Sequence, residues 1–353
     1  MKRVESLLVT EETISNLFRL IGMLREHDSL AVLMYGAPDP DAISSAMALR
    51  EIIEQKAGLS RCVFAATHPF IRQQNLEFAH AMGVDISIID GIDLADYRLI
   101  ALVDSQPPLF GEVLERYRPH IVFDHHPRTP GWHAELEDVR PRYGALSTIM
   151  TGYLLAARVR ITRMLYTALL YGIRSDTNNL ERDACLEDIG AYYLNFARAN
   201  RGLIRRIELN QIPERYLKYF DFAYRHRHRQ REKIICFLEA VENADVCVQV
   251  ADFLLRIIQI YFVVVGGIVG NRLIVVFRGD GYRMNCGDIA SRTFGHLGSA
   301  GGHRSAARAE IHLEKLKEIL AGDLSCRNME HFLLQSLEVK RQRLRGDGTK
   351  EKG

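Results

Sequence analysis

The hydrophobic residues of this chain follow two patterns. Apolar positions at helical spacing predict an amphipathic helix over residues 11–27 and another helix over Ser44–Gln55. Short continuous apolar runs instead predict buried strands, at Leu30–Met34, Ser60–Ala66, Val84–Ile89, Leu99–Val103, His120–Phe123 and Leu165–Ile173. Because strands and helices alternate to about residue 210, the pattern indicates an α/β domain with a parallel sheet and helices on both faces.

The composition changes near residue 213 and suggests a second domain. The segment 213–233 is rich in Tyr, Arg and His and is interpreted as a linker helix after a first domain of residues 1–212. Strand-like runs at Tyr261–Val269 and Arg272–Arg278, with a helix near Asp288–Phe294, predict a smaller α/β domain over 234–322. The tail, residues 323–353, is expected to be helical and then disordered at its end.

Bulk properties narrow the class of protein. The 353 residues are 47% hydrophobic and 25% charged, and the formal net charge of +2 gives no strong signal for binding long nucleic acid. The basic stretch Arg225–Arg229 is interpreted as a solvated helix face. Six scattered cysteines without a C-x-x-C pair indicate a reducing cytoplasm. The longest apolar run, Ile257–Val269, is too short to span a bilayer, so no membrane association is expected.

Acidic and histidine residues follow the predicted strands, where each apolar run ends. In an open α/β sheet the carboxyl ends of the strands border one cleft, so these distant residues are expected to converge. Several carboxylates with an imidazole need cations between them, and Mn²⁺ or Mg²⁺ suits such ligands. The set predicts a two-metal centre and consists of Asp39, Asp41, Asp104, Asp124, His125, His126 and Asp176.

Each of these signals alone has an ordinary structural explanation. The segment Pro38–Asp41 has the composition of a turn, Asp104 could end a strand, and Asp176 could cap a helix. The glycines before His303 could form a turn in which the histidine is incidental. The order of all the signals along one chain favours the chemical interpretation.

At these residues the sequence resembles the DHH phosphoesterase family. Asp124-His125-His126 matches the triplet that names the family, and four further segments match its other motifs in order. These are Pro38–Ser45, Asp104-Ser105, Gly172–Thr177 and, near the C-terminus, Gly301–Ala307, which is similar to the signature of a DHHA1-type substrate domain. The match covers roughly residues 28–312. By architecture the chain is similar to two-domain enzymes that degrade very short RNA and dephosphorylate 3′-phosphoadenosine 5′-phosphate.

The resemblance implies a role for each matched residue. Asp39 and Asp104 would bind one metal ion, while Asp41, Asp104, His125 and Asp176 would bind the second. His126 would face the substrate as a phosphate ligand or general acid, and Asp124 would orient the histidines. In the C-terminal domain the substrate would be bound by Arg283, Asn285, Gly301, Gly302 and His303.

The chain departs from the family pattern at the first motif. Tyr35 stands where the family usually has a histidine ligand of the first metal ion. Ser299-Ala300 and Arg308 replace glycines near the C-terminal signature. A neutral phenol is a poor ligand for a hard divalent cation, so occupancy of the first site is left open.

The resemblance implies a hydrolase with two divalent ions, Mn²⁺ before Mg²⁺, acting through metal-activated water on short RNA or a nucleotide. Exonuclease and nucleotide-phosphatase activities both fit this interpretation, as does a homodimer. Polyphosphate or cyclic-dinucleotide hydrolysis is an alternative that the sequence does not separate. A non-catalytic nucleotide sensor is a further alternative, motivated by Tyr35.

Overall fold

A computed structural model describes residues 2–182, 184–209 and 212–346 of the chain. The chain divides into two compact units, Met1–Gln211 and Ile212–Gly353. The part of the tail predicted to be disordered, after residue 346, lies outside the described residues. No helix within the described ranges has the length and apolar content needed to cross a membrane.

The first unit is built on a six-stranded sheet. Its strands are β1 (Ser29–Met34), β2 (Arg61–Ala66), β3 (Ser87–Ile88), β4 (Leu99–Val103), β5 (Ile121–Asp124) and β6 (Leu136–Val139). They pair in parallel throughout, in the order β3-β2-β1-β4-β5-β6. The predicted parallel sheet is confirmed, and the carboxyl ends of β2, β1, β4 and β5 lie side by side at one edge.

The helices of the first unit are α1 (Lys2–Leu8), α2 (Glu11–Arg25), α3 (Pro40–Ile52), α4 (Gln73–Met82), α5 (Glu112–Arg116), α6 (Leu146–Ala157), α7 (Arg163–Asp176), α8 (Leu186–Phe196) and α9 (Arg201–Leu209).

Alternate residues of β1 enter two cores. Val32 packs in the core with α2, α3, α6 and α7, whereas Leu33 packs in a smaller core with Phe110. Both faces of the sheet are therefore covered, as parallel sheets require.

One predicted strand is wrong. Residues Leu165–Ile173 form the central part of helix α7, so Asp176 lies at the end of a helix and not after a strand. Thr162 caps the helix by accepting a hydrogen bond from the Leu165 amide at 3.1 Å. The 14-residue segment is longer than a typical buried strand and carries good helix formers, which favours the helix.

The second unit has a mixed six-stranded sheet. Its elements are α10 (Leu217–His226), β7 (His228–Gln230), β8 (Lys233–Ala240), α11 (Ala244–Leu255), β9 (Phe262–Val269), β10 (Arg272–Gly279), α12 (Cys286–Phe294), β11 (Ser299–Gly302), β12 (Ala306–His312), α13 (Leu313–Ile319) and α14 (Cys326–Gly346). The strand order is β11-β12-β10-β9-β8-β7, with only β8 and β9 parallel. The segment expected as a linker forms α10, whose Tyr219 and Ala223 are buried in the core of this unit.

Candidate metal centre

Four predicted ligands meet at the carboxyl edge of the first sheet. Asp41, Asp104, His125 and Asp176 each offer one ligand atom, and all four atoms lie within 4.8 Å of one another. Asp104 follows β4 and His125 follows β5, while Asp41 lies in the first turn of α3 and Asp176 ends α7. Four separate elements therefore bring their side chains to one point.

The His125 imidazole lies at the centre of this cluster. Its Nε2 atom is 3.2 Å from Asp176 Oδ2, 3.3 Å from Asp104 Oδ1 and 3.9 Å from Asp41 Oδ2. His125 Nε2 and Asp104 Oδ1 are both buried, and neither has a hydrogen-bond partner of adequate geometry. Buried polar atoms are rarely left unpaired. Carboxylate oxygens and an imidazole nitrogen are ligand atoms that a divalent cation binds. Because these atoms face one another without pairing, the four residues fit such an ion.

The Asp41 carboxylate is held by the start of helix α6. Asp41 Oδ2 accepts a hydrogen bond from the Leu146 amide at 2.6 Å, and Oδ1 accepts one from the Ser147 amide at 2.8 Å. The residue before the helix, Ala145, has no side chain that could cap it. Asp41 therefore caps α6 from a distant point in the sequence, and the helix fixes the direction of the carboxylate.

Asp104 has an unusual backbone conformation. Its φ angle is +57°, in the left-handed region that residues other than glycine rarely adopt. The Asp104 amide donates to the Phe123 carbonyl at 2.9 Å, which continues the pairing of β4 with β5 beyond the last strand residue. Such backbone strain is concentrated at functional sites, where it directs a side chain that a relaxed strand end would place elsewhere.

Asp124 organises the histidine pair through several hydrogen bonds. Its Oδ1 accepts from the amides of His125 at 2.8 Å and His126 at 3.2 Å, and lies 2.9 Å from His126 Nδ1. Its Oδ2 accepts from Gln106 Nε2 at 2.6 Å. Asp124 thus contacts the His126 ring, whereas the His125 ring is held by another group. His125 Nδ1 lies 3.1 Å from the Tyr143 carbonyl, which can only accept, so Nδ1 carries a proton and Nε2 faces the cluster.

The electrostatics of the cluster reflect crowded carboxylates. Burial, with a further contribution from the Asp176 charge, raises the pKa of Asp39 to about 6 and that of Asp41 to about 7. Burial also raises the pKa of Asp104. Burial would lower the pKa of His125, but the carboxylates of Asp104 and Asp176 outweigh it and raise that pKa to about 12. Positive charge is strongly favoured at this point, which is what a cation site requires.

The ligands expected for the other ion are less complete. Asp104, His125 and His126 form a second set of nearby ligand atoms, but Asp39 belongs to neither set among the described residues. Asp39 caps α3, and its Oδ1 accepts from the Ala42 amide at 2.9 Å. Tyr35, at the position of the usual histidine, packs its ring near Phe110 and His68. The described geometry therefore assembles one ligand set of four residues and only part of another.

The residues predicted to bind substrate in the second unit gather near the start of α12. Asn285 caps this helix, and the Gly287 amide donates to the His303 carbonyl at 2.9 Å. The Arg283 guanidinium lies 4.6 Å from the centre of the Tyr261 ring. Gly301 and Gly302 end strand β11, and the φ angle of +143° at Gly302 excludes most side chains. These residues are neighbours, and their role in binding stays a prediction.

Sequence reasoning missed the groups that support the ligands. These are the Leu146 and Ser147 amides, the Tyr143 carbonyl and the Gln106 side chain. Backbone groups leave no trace in residue identity, so only the predicted start of a helix after Ala145 could have indicated the first two. Gln106 lies two residues after Asp104, but its contact with Asp124 depends on the adjacency of β4 and β5.

Comparison with known proteins gives one relative by sequence. No family model matches the chain. An uncharacterized protein from Methanocaldococcus jannaschii is 31% identical over 295 residues, a match that covers 82% of this chain. The match spans only 59% of that relative.

Solved structures give the fold. An exopolyphosphatase-related protein from Bacteroides fragilis superimposes with a TM-score of 0.69 at 16% identity, covering 96% of this chain and 99% of that one. RecJ from Thermus thermophilus, solved with Mn²⁺, gives 0.46 at 16% identity over 94% of this chain and 56% of RecJ, too low to establish a shared fold. The chain therefore has the fold of this exopolyphosphatase-related protein, and its acidic and histidine motifs meet at one edge of the first sheet.

Proposed function

We propose that the chain is a metal-dependent phosphoesterase that hydrolyses short oligonucleotides or nucleoside phosphates. The observation that carries this proposal is the pair of buried, unpartnered atoms His125 Nε2 and Asp104 Oδ1 within the cluster that also contains Asp41 and Asp176. A purely structural cluster would pair these atoms with each other or with neighbouring donors. Mn²⁺ is the ion that we expect, with Mg²⁺ as the alternative.

The cluster residues would hold the ion, and His126 would act on the substrate. A divalent cation bound there supplies Lewis acidity toward a phosphoryl oxygen and makes water a better nucleophile. The His126 side chain is 55% exposed, and Asp124 engages its Nδ1 atom. Nε2 is then the atom through which His126 would donate a proton to the leaving oxygen or contact the phosphate. Asp124 keeps the ring in the orientation that this transfer needs.

The four-residue ligand set also bears on the sensor alternative. It is assembled without Tyr35, so the substitution at that position leaves the more complete ligand set unchanged. This favours hydrolysis over nucleotide sensing. The sensor alternative instead predicts nucleotide binding without turnover, and restored metal binding in Tyr35→His.

A substrate panel tests the proposal. It contains a 5′-phosphorylated RNA dinucleotide, 3′-phosphoadenosine 5′-phosphate, a cyclic dinucleotide and inorganic polyphosphate, each with Mn²⁺. Polyphosphate is included because one protein of the same fold is described as exopolyphosphatase-related. Turnover of either of the first two compounds supports the proposal. Preference for polyphosphate or the cyclic dinucleotide would support the alternative hydrolase, and tight nucleotide binding without turnover would support a sensor.

A further inference from the structure

Tyr35 is an aromatic residue exposed at the edge of the sheet that carries the candidate metal centre. The four residues of that centre, called the metal cluster below, are Asp41, Asp104, His125 and Asp176. It directly follows β1, and 44% of its surface is exposed. Its ring centre lies 5.7 Å from that of Phe110 at an angle of 66°, and 6.4 Å from that of His68 at 79°. Both neighbours meet the ring edge to face, and no described ring lies parallel to it. A flat partner could therefore still be added.

The three rings come from three adjacent loops. His68 follows β2, Tyr35 follows β1, and Phe110 lies in the segment after β4. These strands are neighbours in the sheet and run parallel, so their following loops lie at the same edge as Asp104 and Asp41. Tyr35 itself is only four residues before Asp39. The aromatic group and the metal cluster thus share one edge of one unit.

Hydrogen bonds hold this aromatic group in place. The Gly36 amide donates to Thr67 Oγ1 at 2.7 Å, and the His68 amide donates to the Gly36 carbonyl at 3.1 Å. Thr67 Oγ1 also lies 2.9 Å from His68 Nδ1 and orients that ring. A surface that is already ordered loses little entropy when it binds a ligand.

Tyr35 is not part of a hydrophobic core, so core packing does not account for an aromatic residue at this position. Phe110 beneath it is buried at 5% exposure, but Tyr35 and the nearby Leu109, 48% exposed, are open to solvent. An ordered aromatic face on the same sheet edge as the metal cluster has the properties of a base-stacking surface, because every nucleobase presents a flat apolar face. Inorganic polyphosphate has no group that could use it.

We propose that Tyr35, supported by Phe110 and His68, stacks against the nucleobase of a substrate whose phosphate lies at the metal cluster. This inference rests on the proposed function and narrows its substrate class to compounds that carry a base. Tyr35 would then set the specificity for substrates that carry a base. At the position where the family usually has a histidine ligand of the metal, this chain would have a residue that contacts the substrate.

Equilibrium binding of two ligands tests this proposal. Adenosine 5′-monophosphate and ribose 5-phosphate share the phosphate and the sugar and differ in the base, and both are titrated in the presence of Mn²⁺. Tyr35→Ala is expected to weaken binding of the nucleotide about tenfold or more, the range measured for loss of one stacked base, and to leave ribose 5-phosphate within about twofold. Tyr35→Phe keeps the ring and should bind both ligands like the wild type.

Two controls guard against trivial effects. Tyr35→Leu keeps the apolar bulk without a ring, so it should weaken nucleotide binding as Tyr35→Ala does. It also serves as the folded substitute if alanine at this position destabilises the loop. Tyr193→Ala removes another tyrosine, 61% exposed on α8, and should change nothing. The inference is overturned by equal weakening for both ligands, by unchanged nucleotide binding in Tyr35→Ala, or by a wild type that binds adenosine 5′-monophosphate no better than ribose 5-phosphate.

The binding result and the turnover result are separable. If no substrate is hydrolysed but nucleotide binding still depends on the Tyr35 ring, the phosphoesterase proposal fails and the stacking surface stands. If the dinucleotide is hydrolysed and binding is indifferent to the ring, the stacking inference fails and the phosphoesterase proposal stands.

Discussion

Gly172 of α7 packs against Ser147 of α6 with no room for a side chain between them. A Cβ atom at Gly172 would overlap the hydroxyl oxygens of Ser147 and Ser44 and lie 3.0 Å from Asp41 Oδ1. The two serine hydroxyls are hydrogen-bonded to each other at 2.5 Å and join α3 to α6. The glycine thus allows three helices to meet directly behind the Asp41 carboxylate.

Changing Gly172→Ala is therefore expected to damage both the fold and the cluster. The added methyl group must displace the serines or Asp41, and overpacking of this kind costs about 1–3 kcal/mol of the free energy of unfolding. Denaturant unfolding and Mn²⁺ titration measure the two effects. Gly22→Ala in α2 is the matched control, since a Cβ atom there meets nothing within 4 Å. A Gly172→Ala protein with unchanged stability and unchanged Mn²⁺ affinity would contradict this packing account.

The two adjacent histidines are expected to differ when mutated. His125→Ala removes the central ligand and should abolish both Mn²⁺ binding and turnover. His126→Ala should keep most of the bound Mn²⁺ but lower kcat by about 10²–10⁴-fold, the usual contribution of a general acid. Metal content of the purified variants, measured beside kcat, separates the two roles. Loss of metal from both variants to the same extent would show that His126 is a ligand.

Stability is expected to depend on Mn²⁺ and pH together. The pKa of Asp39 is raised from 3.8 to about 6 and that of Asp41 to about 7, so between about pH 4 and 7 the folded chain binds more protons here than the unfolded chain. Without a divalent cation, these groups make the fold less stable as the pH rises through that window. Mn²⁺ offsets the repulsion between ionised carboxylates but must compete with protons at lower pH.

The rise in Tm on adding Mn²⁺ should thus be several degrees at about pH 7.5 and much smaller at about pH 5. Thermal unfolding followed by circular dichroism measures it. Asp104→Asn is the control, because this variant should lose most of the Mn²⁺-dependent rise at both pH values. An equal rise in the wild type at both pH values would argue against the buried carboxylates as the binding site.

A buried ion pair beside α2 is expected to stabilise the first unit. Asp138 accepts from Arg140 Nε at 2.5 Å and Nη2 at 2.6 Å, and also from the Tyr153 hydroxyl. Asp138→Ala leaves the Arg140 charge buried without this partner, and should lower the free energy of unfolding by about 3–5 kcal/mol. Arg225→Ala breaks the exposed contact with Asp221 instead and should change stability little. Similar small losses in both variants would contradict this estimate.

Strands β1, β2, β4 and β5 were predictable because each is a short, mostly apolar run. Strand β6 (Leu136–Val139) was missed because Glu137 and Asp138 interrupt its apolar residues. Leu99–Val103 agrees with the prediction residue for residue, and Asp104 follows it as expected. The segment before Asp176 was misjudged because a buried helix and a buried strand are both continuously apolar, and only length separates them. Asp176 nevertheless lies in the cluster, because the end of α7 reaches the same edge as the strands.

Other features of the site depend on tertiary contacts that local sequence does not carry. The Asp104 backbone depends on the hydrogen bond from its amide to Phe123 in β5, and the capping of α6 by Asp41 depends on the contact between α3 and α6. Tyr35 was interpreted only as a lost ligand, because its contacts with Phe110 and His68 come from loops distant in sequence.

The most direct test of the central claim is the Mn²⁺-dependent rate of hydrolysis of a 5′-phosphorylated RNA dinucleotide by the wild type and by Asp104→Asn. Asp104 contributes to both sets of ligand atoms, and the asparagine variant keeps its size while removing its charge. We expect turnover by the wild type that requires Mn²⁺, and a loss of about a hundredfold to a thousandfold in the variant, the scale of removing one key electrostatic group. Hydrolysis that persists without a divalent cation, or an Asp104→Asn protein that retains near-full activity with Mn²⁺, would contradict it.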